Sequence, residues 1–312
     1  MFSNESHGGG RRTGVLAAAA VVAALGLLSG CGTVGRDAGG TPNSADTPAT
    51  APAAAPATGG ASPSPSATAS RAETLPLSGR TVALDPGHNP TNHLHTKEID
   101  RLVDIGTNRK ECDTTGTETD AGYPEASYTL DVSRRVRAIL TARGARVVLT
   151  QNGDRPWGPC VDERAEIGNK AHADAALSIH ADGAPAADRG FHVIAPASLH
   201  KGAADTRAIA APSLKLADDL RADFKAATGE PFADYLGGGK GLMVRGDLGG
   251  LNLSQVPKVF IECGNMRNAR DAALLTDTAW RQRAAEGIAD GLTAFLTAPG
   301  ARPQPGATGE ER

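Results

Sequence analysis

The sequence Thr81-Val-Ala-Leu-Asp-Pro-Gly-His88-Asn-Pro90 begins with a short apolar, strand-like run that ends at a histidine. A second run, Leu177-Ser-Ile-His180-Ala-Asp182, has its histidine in the same place. A third run, Val259-Phe-Ile-Glu262-Cys-Gly-Asn265, ends at a glutamate. Open α/β sheets gather ligands and catalytic groups just beyond the carboxyl ends of their strands. The three strand ends therefore predict one shared site.

The segments between these strands have the periodicity of helices. Pro124-Glu125 opens one helix, since proline suits the first turn, and apolar residues follow at helical spacing from Tyr128 to Leu140. Alternating strands and helices predict an α/β fold, a single domain with a twisted, mostly parallel sheet flanked by helices on both faces. The long polar segment 91–122 is predicted to be a functional loop. Further strands are predicted at 146–150, 190–195 and 241–245, and further helices at 161–173, 210–228 and 269–296.

Residues 1–30 have the features of a signal peptide of the lipoprotein type. A positive pair, Arg11-Arg12, precedes an apolar segment, 15–28, that is short for a membrane span. Leu28-Ser-Gly-Cys31 then resembles a bacterial lipobox, which implies cleavage before Cys31 and a lipid on its thiol. An ordinary signal peptide and an uncleaved anchor are the alternatives. The arginine pair leaves the choice between the general and the twin-arginine export route open.

The composition divides the rest of the chain into a tether, a domain and a tail. Within 41–70, twenty-eight of thirty residues are Ala, Pro, Ser, Thr or Gly, so 31–76 is predicted to be a disordered tether. The tail, 298–312, has the same character. Residues 77–297 suit one catalytic domain, expected to be monomeric. The formal net charge of -3 leaves no basic footprint and argues against nucleic acid as a partner.

The cysteines fit an exported protein. Besides Cys31, the chain has three, and this odd number leaves one of them free. Cys112 and Cys160 both lie in loop-like sequence rich in Gly, Pro and Asp, whereas Cys263 lies at a strand end. A disulfide between Cys112 and Cys160 is therefore expected, and the alternative is that all three are reduced.

The residues at the strand ends and the helix start have the chemistry of a zinc hydrolase. Such a site needs three protein ligands, an open position for water and a nearby carboxylate that carries a proton. His88, His180, Glu125 and Glu262 supply these groups, and no His-Glu-x-x-His helix is present. Each residue also has a structural alternative. His88 could be an ordinary turn histidine and His180 a core histidine. Glu125 could be a charge that favours the helix start, and Glu262 could pair with Arg245 or Arg267.

Together, the motifs resemble the zinc-dependent N-acetylmuramoyl-L-alanine amidases that cut peptidoglycan. They are Leu84-Asp-Pro-Gly-His88-Asn, the Pro124-Glu125 helix start, Ser178-Ile-His180-Ala-Asp and Ile261-Glu262-Cys-Gly-Asn-Met. The stretch 111–117, Glu-Cys-Asp-Thr-Thr-Gly-Thr, is most similar to the mycobacterial and actinobacterial branch. The resemblance covers 77–297. It implies a six-stranded sheet, Zn²⁺ on His88, Glu125 and His180, and Glu262 as the catalytic carboxylate.

The resemblance also implies a substrate and a place in the cell. The substrate would be peptidoglycan or a muropeptide, cut between N-acetylmuramic acid and L-alanine during wall remodelling and daughter-cell separation. The protein would act at the outer face of the cytoplasmic membrane, held there by its lipid, or as a secreted enzyme. Asp182, Arg245 and Asn268 are expected to orient the substrate. The helix predicted within 196–239 is expected to leave the site open. The alternatives are a zinc carboxypeptidase acting on the stem peptide and a non-catalytic lipoprotein that binds wall fragments.

Overall fold

The computed structural model describes residues 74–299. The predicted signal peptide, Cys31, nearly all of the predicted tether and nearly all of the tail lie outside the described residues. In chain order, strands β1 to β10 are Thr81–Pro86, Leu102–Asp104, Arg109–Glu111, Arg146–Leu149, Ala175–Asp182, His192–Pro196, His200–Lys201, Ala204–Asp205, Leu242–Arg245 and Lys258–Asn265. Helices α1 to α7 are Thr96–Ile99, Glu125–Ala142, Val161–Lys170, Arg207–Thr228, Gly249–Asn252, Ala269–Thr276 and Thr278–Thr297.

Six of these strands form the central sheet, in the spatial order β4-β1-β5-β10-β6-β9. Strands β4, β1, β5 and β10 run parallel to one another. Strand β6 is antiparallel to β10 and parallel to β9. The predicted six-stranded, mostly parallel sheet is therefore confirmed. The carboxyl ends of β1, β5 and β10 lie side by side at one edge, as the strand-end argument requires.

Helices α2, α4 and α7 cover one face of the sheet and enclose the main core. The predicted apolar positions of α2 face this core, because Tyr128, Val132, Val136 and Leu140 are all fully buried. Trp280 of α7 is buried among them. Burial of a large apolar side chain contributes about 1.5–3 kcal/mol, so this face supplies most of the stability that fixes the sheet. Within residues 74–299, no helix is both long and apolar enough to cross a membrane.

The opposite face of the sheet carries α3 and α5, and its inner layer is partly ionic. Helix α3 packs on the sheet at Gly168, where an added Cβ would be in ordinary van der Waals contact with Ala83 and Ala176, at 3.6 and 3.9 Å. This face also buries Asp85 near the carboxyl end of β1, Arg164 of α3, and Lys258, whose Nζ extends from the start of β10 to Asp85. The candidate site lies next to these charged residues, at the carboxyl ends of β1, β5 and β10.

Several predicted boundaries were wrong. The runs that end at His180 and Glu262 continue as strands to Asp182 and Asn265, because the two strand ends still pair there across a bulge. Residues 91–122 contain a 3-10 turn, α1 and the β2-β3 hairpin. These elements are three or four residues long, too short to produce a periodic signal. Helix α4 begins at Arg207, before its internal Pro212, and contacts α7 on the core face, so it does not cover the site.

Candidate active site

His88 occupies an unusual backbone position directly after β1. Its φ of 60° lies in the left-handed region, which non-glycine residues rarely adopt. Two side chains hold its main-chain carbonyl, because Gln151 Nε2 and Arg164 Nη2 donate to this oxygen at 3.1 and 3.0 Å. The ring Nδ1 lies 3.1 Å from Asp113 Oδ1. The other ring nitrogen, Nε2, is 3.2 Å from Glu125 Oε2.

Glu125 is the first residue of α2, and Pro124 in extended conformation is its N-cap. Its Oε1 lies 2.9 Å from His180 Nδ1 and accepts a hydrogen bond from the Ala181 amide at 3.2 Å. Its Oε2 accepts from the Thr117 amide at 3.0 Å. The helix start and these amides therefore fix both carboxylate oxygens between the two imidazoles.

The ring of His180 is held between a stacked aromatic ring and the β1 turn. Phe260 stacks on it with the ring centroids 5.1 Å apart. On the side of the turn, a Cβ on Gly87 would lie 2.3 Å from His180 Cε1. Only glycine fits at position 87, because any side chain there would displace the imidazole.

His88, Glu125 and His180 meet the geometric requirements of one metal centre. One ligand atom from each residue lies within 4.8 Å of the others. Neighbouring ligands of a tetrahedral zinc with bonds of about 2.0–2.2 Å lie some 3.3–3.6 Å apart, and the contacts of 2.9 and 3.2 Å are close to this spacing. Two imidazoles and one carboxylate are the ligand set of several zinc hydrolases. The residues present therefore fit zinc.

The charges of these groups depend on one another. Burial disfavours the ionised form of Glu125, but His88 and His180 outweigh it and hold the pKa of this carboxyl well below its usual range. Burial also disfavours the charged form of His88, and Glu125 and Asp113 reverse this effect and raise its pKa. The site therefore attracts positive charge at its centre, as a cation site must.

Glu262 lies beside this group, on the neighbouring strand. Its register partners are His180 on β5 and His192 on β6. Its Oε2 is inaccessible to solvent and has no hydrogen-bond partner among the described residues. Burial raises the pKa of Glu262 well above its ordinary value, and the carboxylates of Glu125 and Asp182 raise it further. A buried polar atom without a partner is unfavourable. This one lies on the strand beside the candidate metal residues, which makes Glu262 the candidate catalytic carboxylate.

Two of the three predicted substrate residues line the cavity at this site. The cavity, of about 430 Å³, is bordered by Asp182 and Arg245 together with the candidate metal residues and Glu262. Tyr235 donates a hydrogen bond from its hydroxyl to Asp182 Oδ2 at 2.9 Å. Asn268 is not among the lining residues. Its side chain caps α6 by accepting from two main-chain amides, and it donates to the Ala186 carbonyl.

The alternative that Glu262 is half of an ion pair with a nearby arginine is not what the structure shows. Arg245 forms its ion pair with Asp247 at 2.7 Å, and Arg267 pairs with Asp120 at 2.8 Å. Within the described residues, neither arginine has an ion pair with Glu262.

Asp113 and Phe260 contact the two candidate histidine ligands, and neither was predicted as a site residue from the sequence. Phe260 had a signal, since it lies two residues before Glu262 on the same strand and so shares its face. Asp113 lies in irregular sequence where no periodicity identifies it. It follows Cys112, whose Sγ is 2.06 Å from Cys160 Sγ in a disulfide. Cys263 is a free, buried thiol.

The fold and these residues define a hydrolase with a candidate metal centre at the carboxyl edge of its sheet. The chain belongs to the N-acetylmuramoyl-L-alanine amidase family, whose model matches residues 82–294, more than half of its length. It is therefore an enzyme of the bacterial cell wall, a hydrolase with N-acetylmuramoyl-L-alanine amidase activity, as the resemblance implied.

Curated and solved relatives agree with this assignment. The chain is 40% identical over 242 residues to N-acetylmuramoyl-L-alanine amidase Rv3717 of Mycobacterium tuberculosis, covering 77% of this chain and 96% of that protein. The crystal structure of the amidase Ami1 from Mycobacterium smegmatis matches with 44% identity and a TM-score of 0.64, over 70% of this chain and 98% of that one. Ami1 from Mycobacterium abscessus matches with 42% identity and a TM-score of 0.65, over 70% and 100%.

Proposed function

We propose that this protein is a zinc-dependent amidase in which His88, Glu125 and His180 hold the metal and Glu262 transfers the proton. The observation that carries the proposal is the buried, unpartnered Oε2 of Glu262 beside the His-Glu-His group. A structural metal site fills its coordination with protein ligands. A catalytic site needs one additional group that is close to the metal and free to react.

The metal ligands and the residues around them would have separate roles in the reaction. A zinc ion on the three ligands would supply Lewis acidity, which polarises the scissile carbonyl and makes water a stronger nucleophile. Glu125, ionised and fixed by two amides, would lower the positive charge of the centre. Phe260 and the glycine turn would keep the His180 ring in one orientation, which avoids reorganisation during the reaction.

Glu262 would act as general base and then as general acid. It would accept the proton of the attacking water and deliver it to the nitrogen of the departing L-alanine. Its raised pKa suits this exchange, because proton transfer is most efficient when the pKa of the catalyst lies near the working pH. Asp182 and Arg245, which border the same cavity, would orient the polar muropeptide.

Two other functions are less well supported. A carboxypeptidase that acts on the stem peptide is less well supported because the matching family model and the curated relative are N-acetylmuramoyl-L-alanine amidases. A non-catalytic binder of wall fragments would not need the unpartnered carboxylate of Glu262. Both remain distinguishable from an amidase by their products.

The test is Glu262→Gln, which keeps the shape of the side chain and removes its charge. We expect the variant to bind zinc normally and to lose amidase activity by about 10²- to 10⁴-fold, the usual contribution of general acid–base catalysis. The matched control is Glu286→Gln, an exposed position on α7, whose activity should equal that of the wild type. Metal analysis and mass spectrometry of digested muropeptides supply both readouts. Loss of zinc from Glu262→Gln would make Glu262 a ligand and would contradict the proposed role.

We also propose that the enzyme is exported and attached to the outer face of the cytoplasmic membrane by a lipid on Cys31. Support comes from the lipobox-like sequence and from the location of peptidoglycan outside the membrane. The tether 31–76 would let a monomeric domain reach nearby wall during remodelling and cell separation. Its mean reach would be about 35–40 Å, from roughly 5–6 Å times the square root of the residue number. Secretion without an anchor is the alternative.

A further inference from the structure

We propose that Asp113 is a positioning residue of the metal centre. Its carboxylate fixes the imidazole of His88 so that Nε2, and not Nδ1, is the atom offered to the metal. This inference rests on the proposed zinc function. It gives a role to Asp113, which lies within the stretch 111–117 but to which the motif alone assigns no function.

The first observation is the contact on the far side of the His88 ring. Asp113 Oδ1 and the Thr114 carbonyl oxygen each lie 3.1 Å from His88 Nδ1. The Thr114 hydroxyl also lies 3.3 Å from this nitrogen. The two nearer oxygens, a carboxylate and a carbonyl, can only accept hydrogen bonds, so they favour the proton on Nδ1. An imidazole that binds a metal is neutral, so Nε2 is then the nitrogen with the free lone pair, and it is the one that faces Glu125. Histidine ligands generally donate their second N–H to such a partner, which sets the tautomer and the ring orientation.

The second observation is that Asp113 is itself held in place. Its Oδ2 accepts a hydrogen bond from Arg164 Nη2 at 2.8 Å, and its Oδ1 accepts from the Thr114 amide at 2.8 Å. Asp113 is 6% exposed and Arg164 is 5% exposed. Because the Asp113 carboxylate is buried and both of its oxygens accept hydrogen bonds, its orientation toward His88 is fixed.

The third observation is that the same arginine holds the backbone of His88. Arg164 Nη2 also donates to the His88 carbonyl at 3.0 Å, and Nη1 donates to the Pro86 carbonyl at 2.7 Å. His88 has a positive φ, a strained conformation that persists only when its surroundings impose it. One Asp–Arg pair thus restrains both the ring and the main chain of the ligand.

The pair continues into a buried ionic chain that leads away from the metal site. Arg164 Nη1 contacts Asp85 Oδ1 at 2.8 Å, and Lys258 Nζ contacts Asp85 Oδ2 at 3.1 Å. Buried ion pairs give little net stability, because desolvation offsets their attraction. In this position the ion pairs fix the orientation of Arg164, which in turn holds Asp113 and the His88 backbone. Lys258 provides a matched control, since it belongs to the same chain of charges and its ammonium group contacts Asp85 and the Phe260 ring, not His88.

The experiment compares Asp113→Asn with Lys258→Met in the purified full-length protein. The zinc dissociation constant is measured by competition with a chromophoric chelator. We expect Asp113→Asn to bind zinc about 10- to 100-fold more weakly, the usual effect of removing such a partner. Lys258→Met should stay within about twofold of the wild type, although its melting temperature falls. At saturating zinc, Asp113→Asn should lower kcat more than it changes KM.

A second measurement does not depend on the folding of any variant. In ¹⁵N-histidine wild-type protein loaded with ¹¹³Cd, the metal should couple to Nε2 of His88, and the proton should reside on Nδ1. Coupling through Nδ1 would overturn the inference, as would Asp113→Asn with wild-type zinc affinity or Lys258→Met with an equal loss. A wild-type protein that binds neither metal would overturn the proposed zinc function as well, so the two failures are distinguishable.

Discussion

The Cys112–Cys160 disulfide should make a large contribution to stability, and its removal by Cys112→Ala/Cys160→Ala tests this. The bridge joins residues 48 positions apart, and a loop of this length corresponds to about 4 kcal/mol in the chain-entropy model. A domain of this size shifts its melting temperature by about 2–4 °C per kcal/mol. The double variant should therefore melt about 8–16 °C below the oxidised wild type.

The assay is differential scanning calorimetry of the oxidised wild type, the reduced wild type and the double variant. The two forms without the bridge should melt at similar temperatures. Cys112 also precedes Asp113, and Val161, next to Cys160, donates its amide to the Cys112 carbonyl at 2.8 Å. The double variant should therefore also bind zinc more weakly. A melting temperature within about 2 °C of the wild type would refute the stabilising role. Alkylation of both Cys112 and Cys160 in the exported, unreduced protein would show that the bridge does not form.

Three further predictions concern separate parts of the molecule. Gly87→Ala would place a Cβ 2.3 Å from the His180 ring, so the folded variant should lose at least about tenfold in zinc affinity, and unchanged affinity would contradict this. Burial raises the pKa of Glu230 to about 7 despite Arg189. Folding therefore favours the protonated carboxyl, so the stabilisation should be complete below about pH 4.5 and be lost as the pH rises through 7. Glu230→Gln should abolish this loss of stability in melting curves. An unchanged pH dependence of the melting temperature would show that Glu230 is not its source. Cys31→Ala should move the protein from the membrane fraction to the soluble or secreted fraction with unchanged specific activity, and retention by membranes in high salt would indicate another anchor.

The parts of the site predicted from sequence are those that follow from regular elements. His88, His180 and Glu262 could be placed together because the carboxyl ends of parallel strands converge at one sheet edge. Glu125 could be placed at a helix start because Pro124 marks the first turn. In each case a short motif lies on an element whose position is set by apolar periodicity.

The parts that were missed depend on contacts between distant segments. Asp113 meets Arg164 across 51 residues of chain, and no local pattern encodes that pairing. Asn268 was expected to orient the substrate because its side chain is polar, but asparagine is also a good helix N-cap, and Asn268 caps α6. The β2-β3 hairpin pairs only three residues on each strand, too few for a recognisable alternation.

The central claim is that one zinc ion, held by His88, Glu125 and His180, is required for cleavage of the bond between N-acetylmuramic acid and L-alanine. The most direct test measures bound zinc and muropeptide products together, in the wild type and in His180→Ala. We predict one zinc per wild-type chain, with products that are a peptide-free muramoyl sugar and an intact stem peptide beginning with L-alanine. His180→Ala should remain folded, lose its zinc and form neither product. A folded His180→Ala protein with full zinc occupancy, or with wild-type cleavage, would contradict the account.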